Sequence, residues 1–498
     1  MRLILTGHDY KYAVEQIMLS LFPGERPEYG GADTKEGMCA ESRLTFGAVY
    51  AQAATVLRTG SKVYRGTARV RRDKLADKLV SDRLLQKIIK QSFYRAAAGI
   101  LEPPPAWGSL TGIRPAKIAA AAMARGQNPT KVLTREYYVS PERAELCADA
   151  AEASLAVQKS LSPRDIALYV GIPFCPTRCA YCSFVSIGVE KSFGLIKPFV
   201  DALLLEIDAT AALAARLGLR VAAVYIGGGT PTALSTEMLG AVMSRVARSF
   251  DLSSVREYTV EAGRPDTITE EKLCVIKAHG ATRVSINPQS MSHDVLRAIG
   301  RAHTPEDTFR AIDMARRMDG LSLNTDVIAG LPEDSARGFC ETLDTMLRLC
   351  PENITVHTLS LKKGSSLMLG DTKVPGGASV GEMLSYAMES LRAGGYAPYY
   401  LYRQKFTSGG FENTGWSRAG AEGIYNICMM EELCTVLSVG GGGVTKLVLP
   451  GGRIERIFNA KFPREYIQGV DWETKTQKIE ETYNSMGGQD RCHMTLLK

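Results

Sequence analysis

The sequence predicts an α/β protein in which parallel strands alternate with helices, preceded by an α+β module and followed by an α/β extension. Three observations point there. Between about residues 165 and 361, short apolar runs alternate with long helical stretches, the pattern of strands buried on both faces of a parallel sheet. Six such strand-helix units follow one another, fewer than the eight of a closed TIM barrel. Polar residues gather where the apolar runs end, and in parallel α/β architecture that end hosts chemistry. The 498 residues divide on this reading at 1–160, 161–365 and 366–498.

The first region opens with LILTG; the alternating segments FGAVYAQAATVL and SKVYRGTARV, the pair joined by the turn sequence RTGS, read with it as short antiparallel strands. The run DKLADKLVSDRLLQKIIKQSFYRAAAG repeats apolar residues at three and four and ends at Gly99, as a helix does. Pro103 to Pro105 interrupt the chain, after which PAKIAAAAMARG forms an Ala-rich helix closed by Gly126. A helical stretch between Ala144 and Lys159 leads into the second region.

There, IALYVGIP at 166–173, VAAVYIGG at 221–228 and REYTVEAG at 256–263 are strands one to three, and ATRVSINPQS, SLNTDVIAGLP and NITVHTLSL are strands four to six. Helical runs such as PFVDALLLEIDATAALAARLG lie between them. Beyond Leu361 the rhythm ends. GYAPYYLYRQKF reads as an edge or hairpin strand, and the Gly-rich SVGGGGVTKLVL follows a helix. ERIFNAKFPREYIQGVDWETKTQKIEETYNSM has helical periodicity and is expected to cover the open side or the rim of the strand-helix region.

Composition narrows the class. The formal charge of +7 is modest and widely spread, so no nucleic-acid partner is expected. The densest basic patch, Arg69, Arg71 and Arg72 with Lys74 and Lys78, reads as a solvated face. The opening MRLILTGHDYKYAVEQ is not a secretory signal and no run of eighteen apolar residues follows, which predicts a cytoplasmic protein without stable membrane insertion. Eleven Cys are too few for a disulfide scaffold of this length. Most are scattered; Cys428 and Cys434, six apart in a helical stretch, are not expected to share a helix face.

The exception is GIPFCPTRCAYCSF, where Cys175, Cys179 and Cys182 place three thiolates within eight residues, directly after strand one. Soft ligands at gaps of four and three, in a loop able to fold round a compact inorganic cube, suit iron and sulfur better than one zinc ion. A zinc site normally closes with a fourth Cys or His, and none lies nearby. One iron would thus be left without a protein ligand and open to a small molecule.

This CxxxCxYC pattern resembles the radical S-adenosyl-L-methionine (SAM) superfamily, whose members bind a [4Fe–4S] cluster through three Cys and give SAM the open iron. Tyr169, Pro173, Phe174 and Tyr181, followed by Gly227-Gly228-Gly229-Thr230-Pro231-Thr232, are similar to the oxygen-independent coproporphyrinogen III oxidase family, closest to its HemZ-like branch. WGSLTGIRPAK, Trp107 to Lys117, is similar to a segment that this branch carries ahead of its barrel. The resemblance implies a partly open (β/α)6 radical SAM barrel. It also implies SAM contacts from Tyr181, Gly228, Gly229, Thr230, Glu261, Gln289 and Asp326, and a catalytic-site role for the Tyr169 hydroxyl. Glycines after a strand allow close backbone approach, so peptide groups of Gly227 to Gly229 are expected to reach SAM. Independently, Ser285, Asn287 and Gln289 alternate on strand four and Asn324 and Asp326 on strand five, polar rows that are costly inside a barrel without a ligand. Two departures stand out: Phe184 occupies a position where the oxidase branch often has a further Cys, and Gly171 one where oxidase and haem-chaperone branches have His.

The activity implied is oxidative decarboxylation of two propionates of coproporphyrinogen III to vinyl groups, giving protoporphyrinogen IX, with electrons from a flavodoxin- or ferredoxin-like donor. Alternatives are a haem-binding or haem-delivering chaperone, and radical methylation or ring opening of a porphyrin. A porphyrinogen substrate with four carboxylates needs cations, for which Arg114, Lys117 and Arg301 are candidates, with Arg403 and Lys446. Pro115 could open the following helix and aim Arg114 and Lys117 towards whatever lies at its start.

Overall fold

The computed structural model describes residues 1–29, 37–184, 186–361, 365, 367, 373–404, 407–469 and 471–485. They form two compact units, Met1–Ala148 with Arg403–Phe411, and Asp149–Tyr402 with Glu412–Lys498.

In the first unit, β1 (Arg2–Thr6), β2 (Met38–Phe46), β3 (Tyr50–Thr59) and β4 (Lys62–Arg71) form one sheet in chain order. β2, β3 and β4 pair antiparallel, but β1 pairs with β2 in parallel, against the antiparallel expectation for LILTG. The cause is the connection: helix Lys11–Leu21 lies between β1 and β2, and a crossover returns the chain in the same direction. FGAVYAQAATVL is also not one strand. Phe46 ends β2 and the chain turns before Tyr50 opens β3. Alternate residues of β3, Ala51, Ala53 and Leu57, meet Ile88, Ile89 and Phe93 of helix Lys78–Ala97 in the unit's core. Helix Ala116–Ala124 starts one residue after Pro115, and Gly126 closes it at φ +67°.

The second unit is built on one sheet of eleven strands. Its six expected parallel strands are β5 (Asp165–Ile172), β8 (Arg220–Gly228), β9 (Glu257–Glu261), β10 (Arg283–Ser285), β11 (Ser322–Ala329) and β12 (Asn353–Thr358). Between β5 and β8, the two-residue strands β6 (Phe174–Cys175) and β7 (Ile187–Gly188) pair with each other in parallel. After β12 come β13 (Ala397–Arg403), β14 (Glu412–Ser417), β15 (Thr435–Gly440), β16 (Val444–Val448) and β17 (Ile454–Phe458). The spatial order is β13-β14-β12-β11-β10-β9-β8-β5-β15-β16-β17. No ladder joins the outer strands to each other among the described residues, so the sheet stays open.

The C-terminal segment therefore lengthens the sheet at both edges: β14 pairs antiparallel with β12, and β15 pairs parallel with β5. ERIFNAKF, expected as helix, contributes β17, because its neighbour β16 offers a free edge that local periodicity cannot reveal. Helices Pro463–Gly469 and Trp472–Ser485 do follow, and lie on helix Val189–Arg216. They are fastened there by Glu206. This fully buried carboxylate accepts from Gly440 N–H at 2.7 Å, Asn459 Nδ2 at 2.9 Å, Tyr466 Oη at 2.5 Å and Lys475 Nζ at 2.7 Å. A buried charge is tolerable only with such saturation.

Cys428 and Cys434 are closer than helical spacing allows. Helix Ile424–Glu431 stops at Glu432, whose φ of +55° turns the chain back and brings the Cys434 thiol into hydrogen bonding with Cys428. Cys492 lies outside the described residues. No described helix is long and apolar enough to cross a membrane.

Candidate functional site

The Cys loop begins where β5 ends, and the glycine triplet at the end of β8 pins it. Gly229 N–H donates to Ile172 O at 2.8 Å and Thr230 N–H to Phe174 O at 2.7 Å. Only glycine permits this approach: a Cβ at position 229 would stand 2.5 Å from Phe174 O, and Gly228 has φ +110°. Gly228 N–H goes to Glu261. The peptide N–H groups at 228 to 230 thus hold the loop and the neighbouring carboxylate.

Beyond the triplet, side chains from two later strand ends grip the loop. Buried Arg301 donates from Nη1 to Asn287 O at 2.6 Å and Gly263 O at 3.3 Å, and from Nη2 to Tyr181 Oη at 3.1 Å. It also hydrogen-bonds Cys179. Arg301, a candidate substrate cation, ties Tyr181 and Cys179 to the segments that follow β9 and β10. Arg264 donates to Thr177 Oγ1 at 2.9 Å and is paired with Asp266 at 2.8 Å. The backbone adds Ala180 N–H to Ile299 O at 2.9 Å. Beside these arginines His303 is buried with neither ring nitrogen bonded; burial and the charge of Arg301 push its pKa down to about 4.

Thr230 Oγ1 lies 3.5 Å from Cys175 Sγ. Burial raises the Cys175 thiol pKa, opposed by the hydrogen bond from Thr230, and raises Cys182 to about 11. Thiols this reluctant to ionise need a metal to become thiolates. No group of three or more His, Cys, Asp or Glu among the described residues converges on a single-ion site. Ligands of a four-iron cluster sit on separate irons and do not need such convergence.

At the other strand ends the expected polar row is present and connected. Ser285 Oγ donates to Asn287 Oδ1 at 2.8 Å, and Asn324 Nδ2 reaches Ser285 Oγ at 2.6 Å and Asp326 Oδ1 at 3.0 Å. Gln289 sits at φ +68° with its peptide clasped between Asp326 O and Ile328 N–H at 3.0 Å each, while its buried Oε1 has no partner. Burial, then the charge of Asp326, lifts Glu261 to a pKa of about 7, against hydrogen bonds from Gly228 and Tyr225. Strand six adds a residue that the sequence reading missed. His357 Nε2 is 3.5 Å from Asp326 Oδ2, and Nδ1 is 3.3 Å from Asn413 Oδ1. A histidine at the polar end of a strand was the available signal.

Tyr169 stacks with Tyr225 at 6.3 Å and Tyr425 at 6.2 Å, and those two stack on each other at 4.5 Å. Its hydroxyl would be 3.2 Å from a Cβ at Gly228, so it does reach the glycine turn; burial and the charge of Glu261 raise its pKa. Gly171 is closed off. A Cβ there would stand 2.7 Å from Gly441 O, so the Gly440–Gly443 turn beside β15 fills the space that a side chain at 171 would need. Phe184 is 69% exposed. Arg114 and Lys117 lie half-buried at the start of helix Ala116–Ala124 in the first unit. Arg403 donates to Gly410 O at 2.7 Å and stacks on Trp107 at 5.1 Å, and Lys446 reaches Met429 O at 3.3 Å.

The sequence model of the radical SAM superfamily matches residues 169–346, from Tyr169 to the helix before β12. The oxygen-independent coproporphyrinogen-III oxidase-like protein HemZ of Bacillus subtilis is 38% identical over 388 residues, 76% of this chain and 77% of that protein. This chain belongs to that family of radical SAM proteins. Heme chaperone HemW of Escherichia coli is 27% identical over 304 residues, 61% of this chain and 76% of its own. Among solved structures, coproporphyrinogen III oxidase HemN of E. coli superposes with a TM-score of 0.51 at 24% identity, covering 64% of this chain and 72% of that one, and shares the fold.

Radical SAM proteins use a [4Fe–4S] cluster and SAM, and the residues present fit both. Three cysteines share one clamped loop, and Gln289 Oε1, buried without a partner at the strand ends, is an acceptor that a bound group would satisfy.

Proposed function

We propose that this chain is a radical SAM oxidase acting on porphyrinogen propionates, converting coproporphyrinogen III to protoporphyrinogen IX. The observation that bears most weight is the joining of the Cys loop to the polar strand ends through Gly229, Arg264 and Arg301. Cysteines 175, 179 and 182 would hold the cluster. Glu261, Gln289 and Asp326, with Tyr181 and Thr230 beside the loop, would bind SAM. Cluster and SAM together supply one-electron cleavage and hydrogen abstraction.

The chain's own residues do the rest. The stack of Tyr169, Tyr225 and Tyr425 keeps the sheet's inner face dry, which a reactive carbon radical requires. Glu261 near pH 7 can hold or release a proton beside bound SAM. At the substrate, removal of hydrogen from a propionate β-carbon, then loss of carbon dioxide and one electron, leaves a vinyl group. A flavodoxin- or ferredoxin-like protein would deliver the initiating electron, and Arg114 and Lys117 stand as candidates for carboxylate contacts.

A haem-delivery role is the second reading. The likeness to HemW, and Phe184 where a further Cys would stand, favour it. Anaerobic incubation of reconstituted protein with coproporphyrinogen III, SAM and a reductant separates the two. A mono-vinyl and then a di-vinyl product is expected; stable haem uptake without decarboxylation would replace the first reading with the second.

A further inference from the structure

His357 stands in a hydrogen-bond arrangement that decides its charge. Asn413 Oδ1 accepts from Thr358 N–H at 3.0 Å, and Asn413 Nδ2 faces Tyr402 O at 3.4 Å, so the amide oxygen is the atom turned to the imidazole. Nδ1, 3.3 Å from that oxygen, must carry a proton to bond it. Nε2 faces Asp326 Oδ2 at 3.5 Å. Were Nε2 bare, its lone pair would point at a carboxylate; a second proton turns that repulsion into attraction.

Asp326 is wired as the complementary anion. Its Oδ1 accepts from Asn324 Nδ2, an amide oriented in turn by Ser285 and by Thr355 Oγ1 at 3.5 Å from Asn324 Oδ1. Among the described residues, the groups facing the pair are Glu261 from β9, Tyr225 from β8 and Tyr399 and Tyr400 from β13, none of them a cation. Burial alone would discharge His357, yet Asp326, Asn413 and Glu261 together raise its pKa above the ordinary histidine value.

We propose that His357 is a positioning residue: an imidazolium at neutral pH that holds the Asp326 carboxylate aimed, so that Asp326 can accept hydrogen bonds from the hydroxyls of a nucleoside ligand. The identity of that ligand as SAM rests on the function proposed above; the charge state of His357 does not. A strand-six cation then complements the carboxylates of strands three and five at the same strand ends.

The test uses full-length protein with ¹⁵N-labelled histidine. His357, assigned by the signal lost in His357→Gln, should show both ring nitrogens protonated at pH 7 and titrate above the exposed histidines. Asp326→Asn should move that titration down by about one pH unit or more, one unit being the scale of a single close charge. A neutral His357 at pH 7, or a titration unmoved in Asp326→Asn, would overturn the proposal. In reconstituted protein, His357→Gln should weaken S-adenosylhomocysteine binding by about tenfold, a usual cost of losing a ligand's supporting residue, with iron content unchanged. Unaltered affinity would also overturn it. Wild-type protein that fails to bind S-adenosylhomocysteine would reject the functional reading, while the nitrogen shifts would still decide this one.

Discussion

The two ends of the large sheet hold their buried carboxylates in different company, although each end leaves a buried polar atom unbonded: Arg283 Nε and Asn353 Oδ1 at one, Gln289 Oε1 at the other. At the end where β9, β10 and β12 begin, Arg283 pairs with Glu257 at 3.3 Å and donates to Ala421 O at 2.7 Å. Glu257 also takes Thr259 Oγ1 at 2.8 Å and Tyr425 N–H at 3.1 Å, and Asn353 Nδ2 donates to Ala421 O at 2.7 Å. The segment from Ala421 into helix Ile424–Glu431 thereby stoppers the inner face. At the end where the strands finish, Glu261 is carried to about pH 7, Gln289 Oε1 is left orphaned and Asp326 shares one histidine with Glu261. The first carboxylate, Glu257, faces an arginine, whereas the second, Glu261, faces another carboxylate, and a like charge beside a buried acid is what favours its protonated form.

The sharpest way to break this contrast is Cys179→Ala. Iron content after anaerobic reconstitution should fall to background and activity with it, while the circular dichroism spectrum stays that of wild type. Full cluster occupancy in this variant would detach the Cys loop from the site.

The stoppered end should answer in stability instead. Glu257→Ala strands Arg283 in the interior and should cost about 3–5 kcal/mol in denaturant unfolding, whereas replacing both partners by apolar residues should be near neutral. Equal losses in the single and double variants would mean that packing, not charge, matters there.

A smaller effect separates the ends by pH. Glu261 keeps its proton in the folded chain up to about pH 7, but in the unfolded chain loses it near the ordinary value of about 4.3. The folded state thus binds more protons between those values, so the stability this group contributes is whole below the unfolded pKa and is lost as pH rises through about 7. Glu261→Gln should flatten the fall of stability between pH 5 and 8 by about 1–3 kcal/mol. An unchanged profile would deny the strain.

Smallest is Gln289→Leu, which removes an unsatisfied oxygen and should leave stability equal or up to about 1 kcal/mol higher. S-adenosylhomocysteine binding should weaken at the same time. Lower stability with unaltered binding would make Gln289 a core residue.

How much of this was legible follows from the range of the interactions. Cys175, Cys179 and Cys182, the glycine triplet and the alternation of Ser285 with Asn287 are local patterns, readable because ligand spacing and strand period span a few residues. The contacts of Arg301 were not legible, because its partners Tyr181 and Asn287 lie 120 and 14 residues away and nothing near GRAHT announces them. The role of Arg264 was hidden for the same reason, its partner Thr177 being 87 residues back.

The sequence by itself determined the parallel strand-helix order, the three-thiol loop and which strand ends are polar, since hydrophobic period and residue chemistry are written along the chain. Tertiary structure alone decided that β15 lies beside β5 and closes Gly171 with Gly441, that β1 runs parallel to β2, and that Asn413 orients His357 against Asp326. Those outcomes join residues up to some 270 positions apart, as Gly441 to Gly171 does. Which distant edge or side chain a segment meets is set by competition among burials and hydrogen bonds across the whole fold, and local pattern does not encode that choice.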